Sequence, residues 1–476
     1  MQHAKGGDER LHATMNTPTD SHSNQICAKE WADQASSAGD EKEPKPSRSS
    51  LAGLDSLNFL MADVRDGVGP YLAIFLKGSQ NWPSGQIGIA MAASSIAAAV
   101  CQIPAGLLVD SLKIKRLLVA GSGLLVAMGC LTIVFFPKFP AVIAAQAMLG
   151  AASAIIPPAL AALSLGIVGR RLLPARISRN ESFNHAGNFA AAGLAGLLGQ
   201  SLGYHWIFYL VCIFAVGSAA AVCLIKPAEI DHDLARGCLE SDAKEARDGG
   251  ESSDAKAGPI SISDVFRKRD LRIFLASVML FHLGNAAMLP MAGQVLAKTH
   301  PGSDVHAMSA CIIAAQLVMI GVAAMVGWAM KRGIGRKTIF LVALAVLPVR
   351  GFLFTLTNSP FGVVSIQLLD GVAAGIFGVI SIVIASDLMR GTGRFNLAQG
   401  LTALATGAGA AGSQLLGGFV VQAFGYNAGF LTLAAAAVVA LVFFAVCMPE
   451  TTESANEKAS AGTKREAIQG LEFPAS

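Results

Sequence analysis

The stretch NFLMADVRDGVGPYLAIFL, residues 58–76, joins an apolar run long enough to enter a lipid bilayer with three charged residues near its middle, Asp63, Arg65 and Asp66. Insertion scales assign about 2.5–3.5 kcal/mol to one charged side chain at the centre of a membrane-spanning helix. Such a cluster of charges is therefore expected only where the helix faces something other than lipid.

Helix geometry places these charges on one side of the helix. At about 100° per residue, the charged and amide side chains from Asp55 to Asp66 fall within an arc of about 160°, and they lie close to the midplane of a hydrocarbon core about 30 Å thick. We predict that Asn58, Asp63, Arg65 and Asp66 line an aqueous cavity and bind a substrate or a proton. The alternative is a buried ion pair that locks this helix to a neighbour.

The composition of the whole chain is that of a membrane protein. Of its 476 residues, 53% are hydrophobic and only 14% are charged, whereas soluble domains contain about 25% charged residues. No basic tract with interleaved aromatic residues occurs, so nucleic acid is not expected as a partner. The eight cysteines form no zinc-site or disulfide pattern, and we expect no metal and no cofactor.

Apolar runs of about 20 residues, the length that a helix needs to cross a bilayer, recur along the chain. We predict an all-α membrane protein with twelve spans, numbered in chain order: 54–77, 84–109, 116–136, 140–165, 180–203, 205–225, 271–298, 305–330, 337–357, 360–386, 396–422 and 426–447.

A charged, Gly/Ser-containing segment separates six spans from the next six, which predicts two six-helix bundles. The predicted regions are a disordered cytoplasmic tail at 1–50, a first bundle at 51–226, a cytoplasmic linker at 227–269, a second bundle at 270–449 and a cytoplasmic tail at 450–476.

The basic residues of the short loops predict the orientation. The loops after spans 2, 4, 8 and 10 are rich in Lys and Arg, and the opposite loops contain few. Basic loops face the cytoplasm, so we predict a multi-pass protein of the cell membrane with both termini in the cytoplasm.

The two bundles also resemble each other in sequence. GLLVDSLKIKR at 106–116 aligns with GWAMKRGIGRK at 327–337, and QAMLGAASAIIP at 146–157 aligns with QLLDGVAAGIFG at 367–378. LGYHWIFYL at 202–210 aligns with FGYNAGFLTL at 424–433. Nearly constant offsets at three separated places indicate an internal duplication. Such repeats place a substrate site near the midplane, between the halves.

Span 5 carries a cluster of polar residues. Glu181, Asn184, His185 and Asn188 fall within about 100° of one another on a helix. A histidine one turn from a carboxylate can relay protons, so His185 and the two asparagines are candidate site residues. The alternative is that the cluster lies at the mouth of the span and is simply solvated.

Spans 7, 9 and 10 carry four more polar residues. His282 and Asn285 lie near the position that is repeat-related to Asp63, and they are candidate site residues although a single histidine can also be a packing residue. Arg350 in span 9 and Asp370 in span 10 are opposite charges in apolar runs. They either pair with each other or contact substrate.

Twelve spans in two sixes, a long charged central segment, and a G-x-x-x-D plus basic cluster between spans 2 and 3 resemble the major facilitator superfamily. The resemblance covers about residues 51 to 449. Gly106, Asp110, Lys115 and Arg116 match the motif of that family, whose role there is a cytoplasmic gate that stabilises the outward-open state. In the second copy of the motif, Lys331 replaces the aspartate.

This resemblance implies a secondary active transporter rather than an enzyme, working by alternating access on a small polar or amphipathic solute. We expect a monomer whose partners are that solute, protons and the lipid bilayer. An acid among Asp63, Asp66 and Asp370 would bind the proton. Efflux is the preferred direction, and proton-coupled uptake of a nutrient or metal chelate is the alternative. A non-transporting solute receptor and a membrane-embedded enzyme are further alternatives, although no HExxH or GxSxG motif occurs.

Overall fold

The structure is a computed structural model. It describes residues 46–66, 68–232, 234–236, 265, 267–390, 392 and 394–451, without the side chains at 66, 170, 171, 174 and 396. The two predicted tails, apart from their innermost residues, and most of the predicted linker lie outside the described residues. The domain boundaries therefore stay a prediction.

The described part is helical from end to end. The first half contains Arg48–Asp66, Gly69–Ile74, the π-helical turn Phe75–Ser79, Ser84–Ser111, Lys115–Phe135, Phe139–Ser153, Ile156–Leu202 and His205–Val222, followed by the short 3₁₀ helices Pro227–Glu229 and Leu234–Arg236. The second half contains Arg269–Asn285, Met288–Thr299, Asp304–Lys331, Arg336–Leu353, Pro360–Leu388, Phe395–Phe424 and Tyr426–Cys447.

Nine helices of the described part are long and apolar enough to cross a membrane, and they coincide with spans 2, 3, 4, 6, 7, 8, 10, 11 and 12. The three remaining spans are the most polar. Span 1 carries the charges of the opening stretch, span 5 its histidine and asparagines, and span 9 three basic residues in one short helix. Charge and amide content, rather than length alone, sets these three spans apart.

Spans 4 and 5 are joined more tightly than their sequence predicts. The basic segment after span 4 is a predicted loop, yet it is helical and belongs to Ile156–Leu202. The turn between the spans is made at Gly169, whose φ of 74° and ψ of 168° are non-helical. Glycine adopts a positive φ without the steric cost of a side chain, so one residue redirects the chain and leaves the basic segment free to remain helical.

The first span of each half is interrupted at the same level. Span 1 ends its first helix at Asp66 and resumes at Gly69, whose φ is +42°. Span 7 ends its first helix at Asn285 and resumes at Met288. A break within a span frees backbone groups from their helical partners, so it is tolerated only where protein or a water-filled cavity surrounds it.

The halves repeat each other's packing as well as their helix order. At Gly187 a side chain would collide with the carbonyl oxygen of Phe59, and at Gly409 with that of Met279. Span 5 thus rests on span 1 as span 11 rests on span 7. This close approach requires glycine at both places, because backbones this near leave no room for a Cβ.

Hydrogen bonds join the halves at one end of the molecule. This closed end carries residues 77–83, 203–204, 299–303 and 425. There the phenol of Tyr204 donates to Asp304 Oδ2 at 2.7 Å, and the Gly85 amide donates to Gln422 Oε1 at 3.0 Å. Slightly deeper, Tyr71 and Ser309 share a hydrogen bond of 2.7 Å.

The helices separate toward the opposite, open end, which carries residues 111–115, 331–336 and 389–394. Spans 2 and 11 still touch where Gly407 packs against Ala99. Seven residues further along the same helix faces, a Cβ at Gly106 or at Gly400 would meet nothing within 4 Å. Seven residues are about two helical turns, so the two contact faces have diverged by that level.

Candidate functional site

A cavity of about 170 Å³ lies between the halves at the level where span 1 is broken. Spans 1, 2, 3 and 4 form most of its wall, and span 11 of the other half contributes one residue. Its polar lining residues are Arg65, Ser94, Ser95, Gln146, Ser153 and Gln414. Of the four residues predicted for the polar face of span 1, Arg65 lines this cavity.

Gln146 is the most deeply buried polar side chain of the first-half wall. It is 5% exposed, and no hydrogen bond joins it to the residues that the structure describes. Leaving a buried amide unpaired costs about 1–3 kcal/mol. The amide is therefore expected to bind water or a ligand in the cavity. The neighbouring Ser153 hydroxyl donates to the Gly150 carbonyl of its own helix at 2.9 Å and can still accept.

Span 11 supports the break in span 7 with two side chains. The Ala287 amide donates to Ser413 Oγ at 3.0 Å, and Gln414 Nε2 donates to the Ala286 carbonyl at 3.2 Å. These bonds satisfy backbone groups that the break frees. Because Gln414 also lines the cavity, it links the cavity to the break in the second half.

Arg350 forms the buried centre of a polar network in the second half. The guanidinium is 1% exposed and donates from Nη1 to Asn285 Oδ1 and from Nη2 to Gln367 Oε1 at 2.9 Å. Asp370 Oδ1 forms an ion pair with Nη1 at 2.7 Å, in a geometry that is not that of a hydrogen bond. Gln367 Nε2 donates to Asp370 Oδ2 at 2.7 Å.

Arg350 and Asp370 pair with each other in this network, and a role in substrate binding stays a prediction. A buried arginine with a carboxylate and two amides around it is well compensated, as a charge in the membrane interior must be. Phe354 covers the guanidinium, with 5.4 Å from Cζ to the ring centroid. Asn285 belongs to this network rather than to the cavity.

The other predicted residues of spans 1 and 7 are placed as follows. Asn58 is buried and donates to the Leu54 carbonyl of its own helix at 2.8 Å. Asp63 is half-buried, and the side chain of Asp66 lies outside the described part. His282 shares a hydrogen bond of 3.0 Å with the Val278 carbonyl and packs against aromatic rings, as a packing histidine does.

The predicted cluster of span 5 is divided between two partners. His185 Nδ1 lies 2.9 Å from Gln316 Oε1 of span 8, so it bridges the halves. Asn184 Nδ2 donates to Glu181 at 3.4 Å, and Asn188 is half-buried. His185 therefore contacts an amide of the other half, while Glu181 contacts Asn184, and none of the four belongs to the cavity lining.

At the open end, the predicted gate residues do not form a cluster. Asp110 is exposed, and the Gly106 position borders open space. Lys115 is buried and donates to the Leu112 carbonyl at 3.2 Å, and Arg116 Nε donates to the Val222 carbonyl at 3.2 Å. These bonds stay within the first half.

An ion cluster that sequence reasoning missed lies at the same end. Asp55 accepts from Arg176 Nη2 at 2.7 Å and from Arg179 Nη2 at 2.7 Å. Arg176 Nε also donates to Asn180 at 2.6 Å. The sequence signal was an aspartate on the polar face of span 1 facing a basic segment. Their pairing depends on spans 1 and 5 being neighbours.

Beside the open end, an acidic residue outside the spans holds the start of span 1. Glu229 Oε2 accepts from the Ser47 amide at 3.0 Å and from the Ser47 hydroxyl at 2.9 Å. The Ser47 amide in particular lowers the pKa of Glu229 to about 2, since hydrogen bonds to a carboxylate favour its charged form.

Similarity to known proteins was found at the level of sequence and of fold. The family model of the Major Facilitator Superfamily matches residues 54–290 and 274–473. Two proteins from two strains of Mycobacterium tuberculosis, each titled "Uncharacterized MFS-type transporter", are 43% identical over 401 residues, which cover 84% of this chain and 93% of each relative.

Solved structures share the fold at low sequence identity. The nucleoside transporter NupG superimposes with a TM-score of 0.65 at 16% identity, covering 84% of this chain and 99% of its own. A D-xylose-proton symporter superimposes with a TM-score of 0.60 at 15% identity, covering 85% of this chain and 98% of its own. At these identities the likeness concerns the fold alone.

Proposed function

Because the chain belongs to the major facilitator superfamily, we propose that the cavity between its halves binds a small polar solute and that a proton gradient drives its transport. Membership confirms the predicted fold of twelve helices in two bundles. It also identifies the chain as a multi-pass membrane transporter rather than an enzyme. The solute, the coupling ion and the direction are the parts proposed.

The cavity is the single observation that carries this proposal. Repeat-built transporters bind their solute near the midplane, where the halves meet and where spans are interrupted. The cavity lies beside the break of span 1 and takes residues from both halves. Arg65, Gln146 and Gln414 supply a cation and two amides, which suits a polar solute better than an apolar one.

Alternating access requires the closed end to open and the open end to close. The basic loops after spans 2 and 8 lie at the open end, so the positive-inside rule assigns that end to the cytoplasm. The described conformation then faces inward. Opening the other side would break the Tyr204–Asp304 and Gly85–Gln422 hydrogen bonds.

Asp110 is the proposed latch of the opposite state. It is exposed while the halves are apart at the open end, and it would find partners when they close. Asp110→Ala is therefore expected to increase the share of molecules in the inward-facing state. The measurement is the spacing of spin labels across the open end, and an unchanged distance distribution would count against the latch.

Asp63 and Asp66 are the proposed proton carriers. Asp63 is half-buried on the helix that borders the cavity, whereas Asp370 lies in the network around Arg350, away from the cavity lining. Export is the proposed direction, and uptake of a nutrient or metal chelate is the alternative. Vesicles with the pH gradient imposed in either sense separate the two directions.

The test uses protein reconstituted into vesicles that contain a pH-sensitive dye. Addition of a transported solute from a library should move protons, and Asp63→Asn or Asp66→Asn should abolish that signal while counterflow of the solute persists. Ser365→Ala is the matched control, since Ser365 is exposed and its hydroxyl donates to the Phe361 carbonyl of its own helix at 2.9 Å. Solute flux without proton movement in the unsubstituted protein would overturn proton coupling.

A further inference from the structure

We infer that the cavity binds a carboxylate group of the solute, at a position repeat-related to the one where the second half holds its own arginine. The inference rests on the proposed function, since it names the chemistry of the solute that the cavity would take. It is carried by a comparison of equivalent residues in the two halves.

The packing of spans 1 and 7 establishes the first equivalence. Phe59 and Met279 occupy matching positions, because each presents its carbonyl oxygen to the glycine of the span that crosses it. Six residues after Phe59 stands Arg65, and six residues after Met279 stands Asn285. Arg65, which lines the cavity, is therefore the counterpart of Asn285 in the polar network around Arg350.

The packing of spans 4 and 10 establishes two more pairs of equivalent residues. Gly150 abuts the backbone of Ser94, and Gly371 abuts the backbone of Ala315. One residue before these glycines stand Leu149 and Asp370. Four residues before them, in the aligned segments, stand two glutamines, which are Gln146 and Gln367.

Every partner of Arg350 thus has a counterpart in the cavity wall. Arg350 contacts Asn285, Gln367 and Asp370, and the cavity lining includes Arg65, Gln146 and Leu149. The offset of 221 residues that aligns 106–116 with 327–337 also pairs Arg350 with Gly129, which has no side chain and packs against Leu149. The cavity wall of the first half thus keeps counterparts of the groups around Arg350 but not of Arg350 itself.

The charge of those surroundings is reversed between the halves. In the second half a carboxylate and two amide oxygens surround a guanidinium. In the first half the carboxylate position is a leucine and one amide position is an arginine. A site with a cation, an amide and hydroxyl groups stabilises an anion, since charge-assisted hydrogen bonds to an anion are the strongest available there.

A singly charged carboxylate fits this site better than phosphate. Arginine binds a carboxylate through two parallel hydrogen bonds. Gln146, which is 5% exposed and has no hydrogen bond to a described residue, can donate a third. A phosphate group carries about −1.5 to −2 charge, and a single arginine would leave part of it uncompensated in a buried site.

The size of the cavity limits the solute. Pockets for drug-sized ligands are roughly 300–1,000 Å³, whereas this one is about 170 Å³. It therefore accommodates a small carboxylic acid, or the carboxylate end of a longer solute that extends toward the open end.

The experiment compares acids with their neutral amides on purified full-length protein. Benzoate and benzamide, and succinate and succinamide, are titrated by calorimetry, with inorganic phosphate and sulfate as further probes. We expect an acid to bind at least about tenfold more tightly than its amide, since charge-assisted hydrogen bonds contribute about 1.5–3 kcal/mol each. Equal affinity of an acid and its amide, or stronger binding of phosphate, would overturn the inference.

Variants of the cavity residues test whether carboxylate binding takes place in the cavity. Arg65→Gln is expected to weaken carboxylate binding about 10- to 100-fold and Gln146→Leu about 10-fold, whereas Ser365→Ala leaves it unchanged. Arg65→Lys keeps the charge but not the paired hydrogen bonds, so an intermediate affinity is expected. If Arg65→Gln does not fold, the lysine and Gln146 variants decide the matter, and unchanged affinity in them contradicts the inference.

The flux assay in vesicles separates this inference from the proposed function. A carboxylate that binds through Arg65 but never crosses the membrane would overturn transport of this solute and leave the binding site standing. A neutral solute that competes for the cavity and is transported, while acids do not bind, would overturn the carboxylate site and leave transport standing.

Discussion

The two halves of this transporter share one packing scheme and differ in what they hold at its centre. In the second half, the buried side chain of Arg350 fills the centre and is surrounded by a carboxylate and two amides. In the first half, the equivalent surroundings enclose a cavity bordered by Arg65 and Gln146. One copy of a duplicated bundle can thus fill its centre with its own side chains while the other leaves space there.

The breaks in spans 1 and 7 also differ, in the side chains that the neighbouring span offers to the backbone. Ser413 and Gln414 of span 11 bond the freed backbone of span 7. Counted back from the repeat-related glycines 203 and 425, which both have positive φ, their counterparts in span 5 are Ala191 and Ala192. Alanine has no polar side chain to give, so the break of span 1 is expected to move more readily.

The largest effect on stability is expected from breaking the ion pair between Arg350 and Asp370. Asp370→Leu leaves the buried guanidinium of Arg350 without its counterion, which costs about 3–5 kcal/mol of the free energy of unfolding. The measurement is denaturant unfolding of the purified protein in detergent. The double variant Arg350→Met with Asp370→Leu should recover most of the loss, and a single variant as stable as the unsubstituted protein would contradict a structural role for the pair.

The second-largest effect on stability is expected from a comparison of the two repeat-related glutamines. Gln367 is fully buried and bonds both Arg350 and Asp370, so Gln367→Leu should cost about 1.5–3 kcal/mol. Gln146 at the equivalent place has no partner in the described residues, and Gln146→Leu should be close to neutral. Equal losses in the two variants would show that the halves do not differ in this way.

The smallest effect on stability is expected at the break of span 7, where span 11 forms hydrogen bonds to the backbone. Ser413→Ala removes the acceptor of the Ala287 amide and should lower the free energy of unfolding by about 1 kcal/mol. Thr432→Ala is the control, because the Thr432 hydroxyl donates to the Ala428 carbonyl of its own helix at 2.8 Å. Hydrogen exchange should report faster opening near Ala287 in the serine variant alone, and equal exchange in both would contradict the role of Ser413.

The sequence predicted what depends on local pattern. Apolar run length predicted the spans, helical spacing placed Arg65 on a polar face, and opposite charges in spans 9 and 10 predicted a pair as one of two outcomes. The helical segment between spans 4 and 5 was wrongly predicted to be a loop. A basic, apolar-poor stretch resembles a loop in composition, and only the single positive φ of Gly169 reveals the turn.

The cavity itself could be predicted only in part. Single serines and glutamines in apolar spans, such as Ser94 and Gln146, give no periodic signal, and they become a site only when four spans converge on them. The repeat between 146–157 and 367–378 contained a further signal: equivalent glutamines are followed by leucine in one copy and by aspartate in the other. Its meaning depends on Arg350, which tertiary packing brings beside that aspartate.

Alternating access is tested by measuring how accessible the cavity is from each side of the membrane. In a background without the native cysteines, Ser94→Cys is treated with a membrane-impermeant thiol reagent in vesicles of defined orientation. We expect reaction from the cytoplasmic side in the resting protein and from the opposite side once a pH gradient and a bound solute shift the carrier. Reaction from one side only, under every condition, would contradict alternating access through this cavity.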